Sequence, residues 1–190
     1  MPRTYGSHCS GCPYADANHL SPEDRRVRAA PLSMEDNGGS ILLVFQAPGV
    51  SEWEVGRPII SNKPSSAGAR LARAFCQAGK TRQDFNITNT VQCFPGKKEA
   101  RSGETARDRS PVASARFHCS HWLRQDIEAH AYERVVVFGS HAREAVYALG
   151  YEHDPRFHCI KHPTGGLSNV KLVSAVDSRD TNLPKEEYEQ

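Results

Sequence analysis

The chain has 190 residues, a net charge of +2 and 38% hydrophobic residues. This length suits one compact domain, which we expect over 1–176, with a polar tail at 177–190. No apolar leader is visible and no window approaches the ~20 apolar residues of a membrane span, so we expect a cytoplasmic protein with no membrane partner. So small a net charge neither requires nor excludes a nucleic-acid partner.

The first part of the chain predicts one strand and one helix after a polar segment. Residues 1–39 are polar and show no strong periodicity, whereas Ile41–Phe45 is a continuous apolar run. Such a run is typical of a central strand that is covered on both faces. After a loop rich in Pro and Gly, Ser65 or Ser66 is expected to cap a helix that ends near Gly79.

The middle of the chain predicts two more strands, separated by a long loop and a helix. Phe85–Val91 and Arg134–Gly139 are apolar runs typical of buried strands. Residues 94–113 are polar and predict a loop. Apolar side chains recur every four residues within 114–131, which predicts a helix with one buried face.

The last part of the chain predicts a short helix followed by two short strands. Ser140 is expected to cap the helix, which ends at Gly150. The strands are expected near 157–160 and 171–175. Strands and helices therefore alternate along the chain, which predicts a parallel sheet with helices on both faces.

The predicted fold class is α/β, a three-layer αβα sandwich around a central, mostly parallel four-stranded sheet. In open sheets of this kind, ligands bind outside the carboxyl ends of the strands. The sequence therefore directs attention to the loops that follow the predicted strands. Three such loops are 46–49, 89–95 and 139–140.

The end of the second predicted strand is the most informative stretch, because Asn89 is followed four residues later by Cys93. An amide offers a donor and an acceptor side by side, so Asn89 is able to read a base edge. An asparagine that caps a turn between strand and loop is the alternative. A thiolate at Cys93 suits a metal or an iron–sulfur cluster. Six cysteines without a secretory leader argue against a disulfide scaffold and indicate a reducing compartment.

Five short motifs follow one another along the chain. They are Gln46-Ala47-Pro48-Gly49, Glu52 with Gly56-Arg57-Pro58, Ile87-Thr88-Asn89 with Cys93, Cys119 before Trp122-Leu123, and His162-Pro163-Thr164. In this order they resemble the iron–sulfur uracil-DNA glycosylases, the family 4 type. The resemblance spans about residues 9–167, and the order of the motifs makes it more specific than any single one.

The resemblance implies a [4Fe-4S] cofactor held by four thiolates. The implied ligands are Cys9, Cys12, Cys93 and Cys119. Structural zinc and the absence of any metal stay open as alternatives, because four thiolates suit zinc as well. The loop 96–112 looks inserted, since the spacing between the last two ligands is longer than we expect for the family. Cys76 and Cys159 have no place in the pattern, and Cys76 is expected to be an ordinary buried thiol.

The resemblance also implies DNA as the partner of a monomeric enzyme, and hydrolytic excision of uracil or a related deaminated base as its reaction. The base must be extruded before cleavage, and Asn89 would read its edge. His162 would donate to the base oxygen as negative charge develops there, and Glu52 would help to place the attacking water. An ordinary loop histidine and an ordinary surface acid are the alternatives for these last two residues.

The same motifs assign the other site residues. Gln46 is the third catalytic residue, and Ala47 and Ile59 complete the base-binding set. A glycine in the first motif permits close approach of the backbone to phosphate and deoxyribose, which a side chain would block. The DNA contacts are expected at Pro48, Gly49, Pro163, Thr164 and Gly165.

Three positions depart from the family pattern. The family's Gly-Glu is Phe45-Gln46 here, its Phe after Gly-Arg-Pro is Ile59, and its Pro-Pro-x-Asn-Arg is Pro95-Gly96-Lys97-Lys98. The missing ring would stack on the flipped base, which is worth ~1–3 kcal/mol, so Phe45 or Trp53 is the remaining source of a ring. Weak uracil excision, a different base and lost activity therefore stay open. Two other functions are alternatives: a silent protein that binds nucleic acid or a nucleotide, and a zinc-stabilised structural or adaptor domain.

Overall fold

A four-stranded sheet forms the centre of the protein, in a computed structural model that describes residues 2–60, 63–99 and 106–177. Its strands are β1 (Ile41–Phe45), β2 (Phe85–Asn89), β3 (Arg134–Phe138) and β4 (Phe157–Ile160). They lie in the order β2-β1-β3-β4, and all neighbours are parallel. The first three strands are buried at every position, as their apolar sequences predict.

Helices cover both faces of this sheet. Within the described ranges they are α1 (Pro22–Val27), α2 (Val50–Val55), α3 (Ala67–Gln77), α4 (Ala113–Glu128), α5 (Ser140–Ala148) and α6 (Asn169–Val176). Side chains alternate along β1, so that Leu43 and Phe45 pack with α3 and α6, while Leu42 and Val44 pack with α4 and α5. The predicted three-layer α/β sandwich is confirmed, and the sheet is entirely parallel.

Local signals set the ends of α3, whereas α5 begins differently from the prediction. The Ser66 hydroxyl accepts a hydrogen bond from Ala69 N at 3.1 Å and so caps α3. Gly79 follows the helix with φ of 66°, a left-handed conformation that glycine adopts without strain. The expectation that Ser140 caps α5 is wrong, because the chain turns into the helix at Gly139, where φ is 92°.

Residues 171–175 belong to helix α6, so the strand predicted there is wrong. The Ser168 hydroxyl caps the first turn of the helix. Leu172, Ala175 and Val176 lie on its buried face at helical spacing. Periodicity cannot separate a buried strand from a buried helix in so short an apolar run, and the contact with α3 decides for the helix.

The sequence does not predict the two short helices α1 and α2. The Ser21 hydroxyl begins α1 by accepting a hydrogen bond from Asp24 N at 3.1 Å. Helix α2 follows Gly49 directly and ends at Gly56, where φ is 78°. This second helix matters for function, because it places Glu52 just beyond the carboxyl end of β1.

The C-terminal end of the described chain is held by Arg134, which donates to Asp177 O at 2.7 Å. Beyond Asp177 the predicted polar tail lies outside the described residues, and so do residues 100–105 of the loop that looks inserted. Across the described ranges, none of the helices combines the length and the apolar character that crossing a membrane requires.

A buried ion pair ties the N-terminal segment to the rest of the fold. Arg3 donates to Asp126 on α4 and to Leu32 O at 3.3 Å. Asp126 also accepts a hydrogen bond from Thr88 Oγ1 on β2 at 2.5 Å. The side chains of Arg3 and Asp126 are only 7% and 5% exposed. Removal of either partner would therefore leave the other charge buried and uncompensated.

Replacing Arg3 with alanine is expected to lower the free energy of unfolding by about 3–5 kcal/mol, because the Asp126 carboxylate would lose its buried counter-charge. Denaturant titration of the purified variant measures this loss. Arg26→Ala is the matched control, since Arg26 is exposed on α1, and its effect is expected to stay within about 0.5 kcal/mol. Equal losses in the two variants would contradict this role of Arg3.

Candidate active site

A cavity of about 710 Å³ lies beyond the carboxyl ends of β1 and β4, where α/β sheets bind their ligands. The end of β1 with α2, the segment before α3, the loop before α4 and the turn after β4 all contribute to its wall. The predicted site residues that line it are Gln46, Ala47, Pro48, Gly49, Glu52, Ile59, His162 and Thr164. The fold therefore brings motifs that are far apart in sequence to one cavity.

Asn89 lies at the neighbouring strand end and is not among the residues that line the cavity. It pairs with Phe45 in the parallel register of β1 and β2. Hydrogen bonds from Thr90 N to Phe45 O at 2.7 Å and from Val91 N to Gln46 O at 3.0 Å hold the two strand ends together. The fold thus places Asn89 next to the first motif.

The side-chain amide of Asn89 is buried without partners. The residue is 1% exposed, and neither Oδ1 nor Nδ2 has a hydrogen-bond partner among the described residues. Leaving a buried polar group unpaired costs about 1–3 kcal/mol. Most buried polar groups in native proteins are paired, so an unpaired amide at a strand end next to a cavity indicates a functional site.

The turn after β4 sets the tautomer of His162. The Thr164 backbone N–H donates to His162 Nδ1 at 3.3 Å, and Thr164 Oγ1 lies 2.9 Å from the same nitrogen. Because Nδ1 accepts from a backbone N–H, the proton of the neutral ring is on Nε2. Burial lowers the pKa of His162 to about 4. The imidazole is therefore neutral at pH 7 and has its donor on Nε2.

Packing fixes the orientation of the His162 ring. Gly165 N donates to His162 O at 2.7 Å and closes the turn. Phe45 meets the imidazole edge-on, with 6.2 Å between ring centroids, and itself stacks on Phe138 at 4.5 Å. A Cβ on Gly139 would lie 3.5 Å from the Cβ of His162. The imidazole ring of His162 therefore packs against the aromatic side chain of Phe45 at the edge of the core.

Two arginines that the sequence did not assign hold the wall of the cavity. Arg70 on α3 donates to Pro163 O and, at 2.5 Å, to Leu167 O, which anchors the loop after β4. Arg82 donates to Ile59 O at 2.6 Å and so anchors the opposite wall. No sequence signal reveals these roles, because a basic residue in a polar pattern predicts a solvated face until its contacts are known.

Ile59 holds a strained backbone conformation in that wall. Its φ is 46°, in the left-handed region that β-branched residues rarely adopt. Arg82 binds the Ile59 carbonyl, and Glu52 Oε1 accepts a hydrogen bond from Ile60 N at 3.2 Å. Both polar groups of the peptide after Ile59 are therefore bound by side chains. Strained residues persist where their surroundings hold them firmly, and they cluster at ligand sites.

Of the two rings that were considered as substitutes at Ile59, only Phe45 lines the cavity. Its side chain is 1% exposed and stacked on Phe138. Trp53 is fully buried elsewhere, and its indole N–H donates to Asp24 O at 3.0 Å. The wall at this position is therefore aliphatic, with an aromatic ring behind it.

The loop before α4 adds residues that no motif predicts. The segment Ala106–Arg109 lines the cavity, and Asp108 Oδ2 accepts a hydrogen bond from Val50 N at 3.3 Å. Asp108 is exposed as a whole, but partial desolvation of its carboxyl group raises its pKa. Lys63 and the two arginines of this segment bring positive charge to the same cavity, which suits the phosphates of nucleic acid.

The four predicted thiol ligands gather in one core cluster. Cys9, Cys93 and Cys119 are buried in it, and Cys12 packs against it. Tyr5 Oη lies 3.7 Å from Cys93 Sγ. Burial, together with the neighbouring thiols, raises the pKa of Cys93 and raises that of Cys119 to about 12. A thiolate in this apolar cluster therefore needs a positive partner.

The two cysteines outside the predicted ligand set, Cys76 and Cys159, differ in their burial. All six cysteines are free thiols in the structure. Cys159 is buried in the core beside the sheet. Cys76 is exposed, so the buried thiol predicted there is wrong. It directly follows Phe75 of the buried stripe on α3, and one step along a helix turns the next side chain away from the core.

In the described part of the chain, no group of three or more His, Cys, Asp or Glu side chains is arranged to hold a metal ion. The cysteine cluster is instead recognised by its donors, which are four thiols from the N-terminal segment, the end of β2 and α4. Four thiolates are the usual donor set of iron–sulfur clusters. The chemistry of these residues therefore fits such a group.

Comparison with known proteins defines the class of the protein. The sequence model of the uracil DNA glycosylase superfamily matches residues 34–178. This match covers well over half of the chain, so the chain belongs to that superfamily, and the membership supports a glycosylase-like hydrolase. The resemblance drawn from the five motifs is confirmed.

One relative points to a particular branch of the superfamily. A type-4 uracil-DNA glycosylase of Pyrobaculum aerophilum is 30% identical over 109 residues, which are 57% of this chain and 48% of the relative. The chain therefore spans about half the length of the curated relative that it matches. This similarity agrees with the family 4 type that the five motifs resemble.

Proposed function

We propose that the protein is a monofunctional DNA glycosylase that hydrolytically excises uracil, or a related deaminated base, from DNA. The buried, unpartnered amide of Asn89 carries this proposal. Its N–H and C=O match the neighbouring carbonyl and N–H of a uracil edge. A base bound there would supply both missing partners and remove the cost of burying the amide unpaired. Membership in the superfamily supports the reaction class.

His162 stabilises the leaving base. Its neutral ring donates from Nε2–H to the base oxygen that gains negative charge as the N-glycosidic bond breaks. The Thr164 N–H holds the ring in this tautomer. A donor fixed before reaction stabilises a developing anion without reorganisation, which is the usual basis of oxyanion stabilisation.

Residues of the first two motifs act on the sugar side. Glu52 offers a carboxylate that favours positive charge on the deoxyribose, and it also binds the peptide after Ile59. Gln46 lines the same cavity and offers an amide to water. Ile59 and Ala47 form an apolar wall that faces the extruded base. The base must leave the helical stack before cleavage.

DNA contacts surround this cavity. Gly49 brings the backbone at the start of α2 close to the substrate, and the turn of Pro163, Thr164 and Gly165 does so on the other side. Lys63 and neighbouring arginines add positive charge at the rim. Such phosphate contacts position the strand without reading its sequence. We propose that a single chain acts alone on the damaged strand.

We propose that the cysteine cluster holds a [4Fe-4S] group. The ligands are Cys9, Cys12, Cys93 and Cys119. Iron would supply the positive charge that thiolates need in this buried cluster. The group would cross-link the N-terminal segment, the end of β2 and α4. Free thiols and such a group suit the reducing cytoplasm.

An oligonucleotide assay tests the proposed reaction. Protein that carries iron is incubated with single- and double-stranded oligonucleotides containing uracil, hypoxanthine or xanthine, and abasic sites are cleaved with alkali. We expect an abasic product with uracil and none with the matched normal base. No abasic product from any of these substrates would overturn the proposal.

The rate of base release is expected to stay level from about pH 8 to about pH 6 and to fall as the pH approaches 4. The lowered pKa of His162 keeps the ring neutral above about 4. Protonation below that value puts a proton on Nδ1, which can then no longer accept the hydrogen bond from the Thr164 N–H. A single-turnover pH–rate profile measures this, with circular dichroism as the control for acid unfolding. A midpoint near about 6.5, the value of an ordinary histidine, would contradict it.

A further inference from the structure

The cavity contains an amide where the family pattern has an acid. Gln46 lines the cavity beside the end of β1. An amide can hydrogen-bond a water molecule, but it cannot take a proton from it at neutral pH. Glu52 is already bound through Oε1 to Ile60 N at 3.2 Å. If the proposed hydrolysis occurs, a carboxylate of the cavity must therefore accept the proton of the attacking water, because the Gln46 amide cannot.

The loop before α4 presents a second carboxylate to this cavity in a fixed position. Lys97 and Asp108 form an antiparallel bridge. Lys98 N donates to Arg107 O at 2.7 Å, and Arg109 N donates to Gly96 O at 2.8 Å. Backbone hydrogen bonds on both sides of Asp108 therefore set its position.

Asp108 and Glu52 converge on the same point of the backbone. A Cβ added to Gly49 would lie 2.7 Å from Asp108 Oδ2 and 2.7 Å from Glu52 Oε2. Asp108 Oδ2 accepts from Val50 N at 3.3 Å, and no described residue supplies a partner for its Oδ1. The two carboxylates thus flank the start of α2, and each keeps one oxygen without a hydrogen-bond partner among the described residues.

We infer that Asp108 is a further catalytic residue, the group that takes the proton of the attacking water. This inference rests on the proposed glycosylase function. The water oxygen forms a bond to C1′ of the deoxyribose while the C1′–N bond breaks, and its electron pair leaves with the base. One proton of the water passes to Asp108 and then to solvent, and the base anion takes a proton from solvent.

The surroundings of Asp108 suit a proton acceptor. Asp108 is exposed as a whole, but partial desolvation of its carboxyl group raises its pKa, and an acceptor whose pKa lies nearer the working pH is a better general base. Glu52 then has a different task, since it holds the wall at Ile59 and lies beside the same sugar position. Sequence motifs did not indicate this division, because Asp108 lies in a polar loop without a recognisable pattern.

Single-turnover excision by Asp108→Asn tests the inference. We expect a loss of ~10²–10⁴-fold in rate, typical of general-base removal, with DNA affinity and melting temperature close to those of the unchanged protein. Asp108→Glu keeps a carboxylate and is expected to retain more activity. Gln46→Glu in the D108N background supplies a carboxylate in the same cavity and is expected to restore part of the rate.

Glu54→Gln is the matched control, because Glu54 is exposed on α2 and does not line the cavity. We expect its rate to be unchanged. An active unchanged protein with a D108N rate equal to that of E54Q would overturn the role of Asp108 and leave the proposed function intact. Equal losses in D108N and D108E, without rescue by Q46E, would also overturn it. An unchanged protein that releases no base would overturn the proposed function itself.

Discussion

Replacing Asn89 with leucine is expected to abolish uracil excision, with a loss of at least ~10³-fold in kcat/KM. Leucine has the same branching and the same number of side-chain heavy atoms as asparagine but no polar atom, so it removes both hydrogen bonds to the base edge. The same change is expected to raise the free energy of unfolding by about 1–3 kcal/mol, because it removes an amide that is buried without partners.

This prediction is specific because activity is expected to fall while the free energy of unfolding rises. If the amide served only to stabilise the fold, its replacement would lower the free energy of unfolding of the protein, and excision activity would fall as well. Excision assays on a uracil oligonucleotide, together with denaturant titration, measure the two effects side by side. Asn18→Leu is the control, since Asn18 is exposed and lies outside the cavity. Loss of stability in N89L with activity retained would contradict the proposed role of Asn89 in recognising the base edge.

Replacing Cys93 with serine is expected to remove the iron and to lower the free energy of unfolding by more than about 4 kcal/mol, a loss typical of a removed metal site. Cys93 lies at the centre of the cysteine cluster, in contact with Tyr5 and packed with Cys119. Without its thiolate, the N-terminal segment would lose its link to the end of β2. Iron content, absorbance near ~400 nm and denaturant titration measure the change.

Cys76→Ser is the matched control for the cysteine change. Cys76 is an exposed thiol on α3 and lies outside the cysteine cluster. We expect it to keep its iron, its colour and its stability. If the unchanged protein, purified without oxygen, were colourless and carried one zinc ion, the proposed cofactor would be wrong. If C93S kept the iron content of C76S, Cys93 would not be a ligand.

Much of the fold follows from patterns along the chain. The apolar runs at Ile41–Phe45 and Arg134–Phe138 are long enough and regular enough to identify central strands, because a strand covered on both faces needs apolar side chains on each. The alternation with helices then implies a parallel sheet. The prediction failed at 171–175, where a run of a few apolar residues suits either kind of element.

The sequence predicts residues of the site only where they belong to a recognisable motif. Gln46, Glu52 and His162 stand in recognisable motifs, and they do line one cavity. Asp108, Arg70 and Arg82 carry no motif, and each acquires its role from a contact with a residue far away in the chain. An isolated charged residue predicts only a solvated surface, so its partner must be seen before its role is known.

The sequence by itself determined the sheet, the layers around it, the superfamily and the set of cysteines. These depend on local periodicity and on short motifs, which are written in consecutive residues. Only the tertiary structure decided that the Asn89 amide is buried without partners, that Ile59 is strained and that Asp108 meets Glu52 beside Gly49. Such features depend on which distant groups come within a few ångströms of one another, and that is decided when the layers pack.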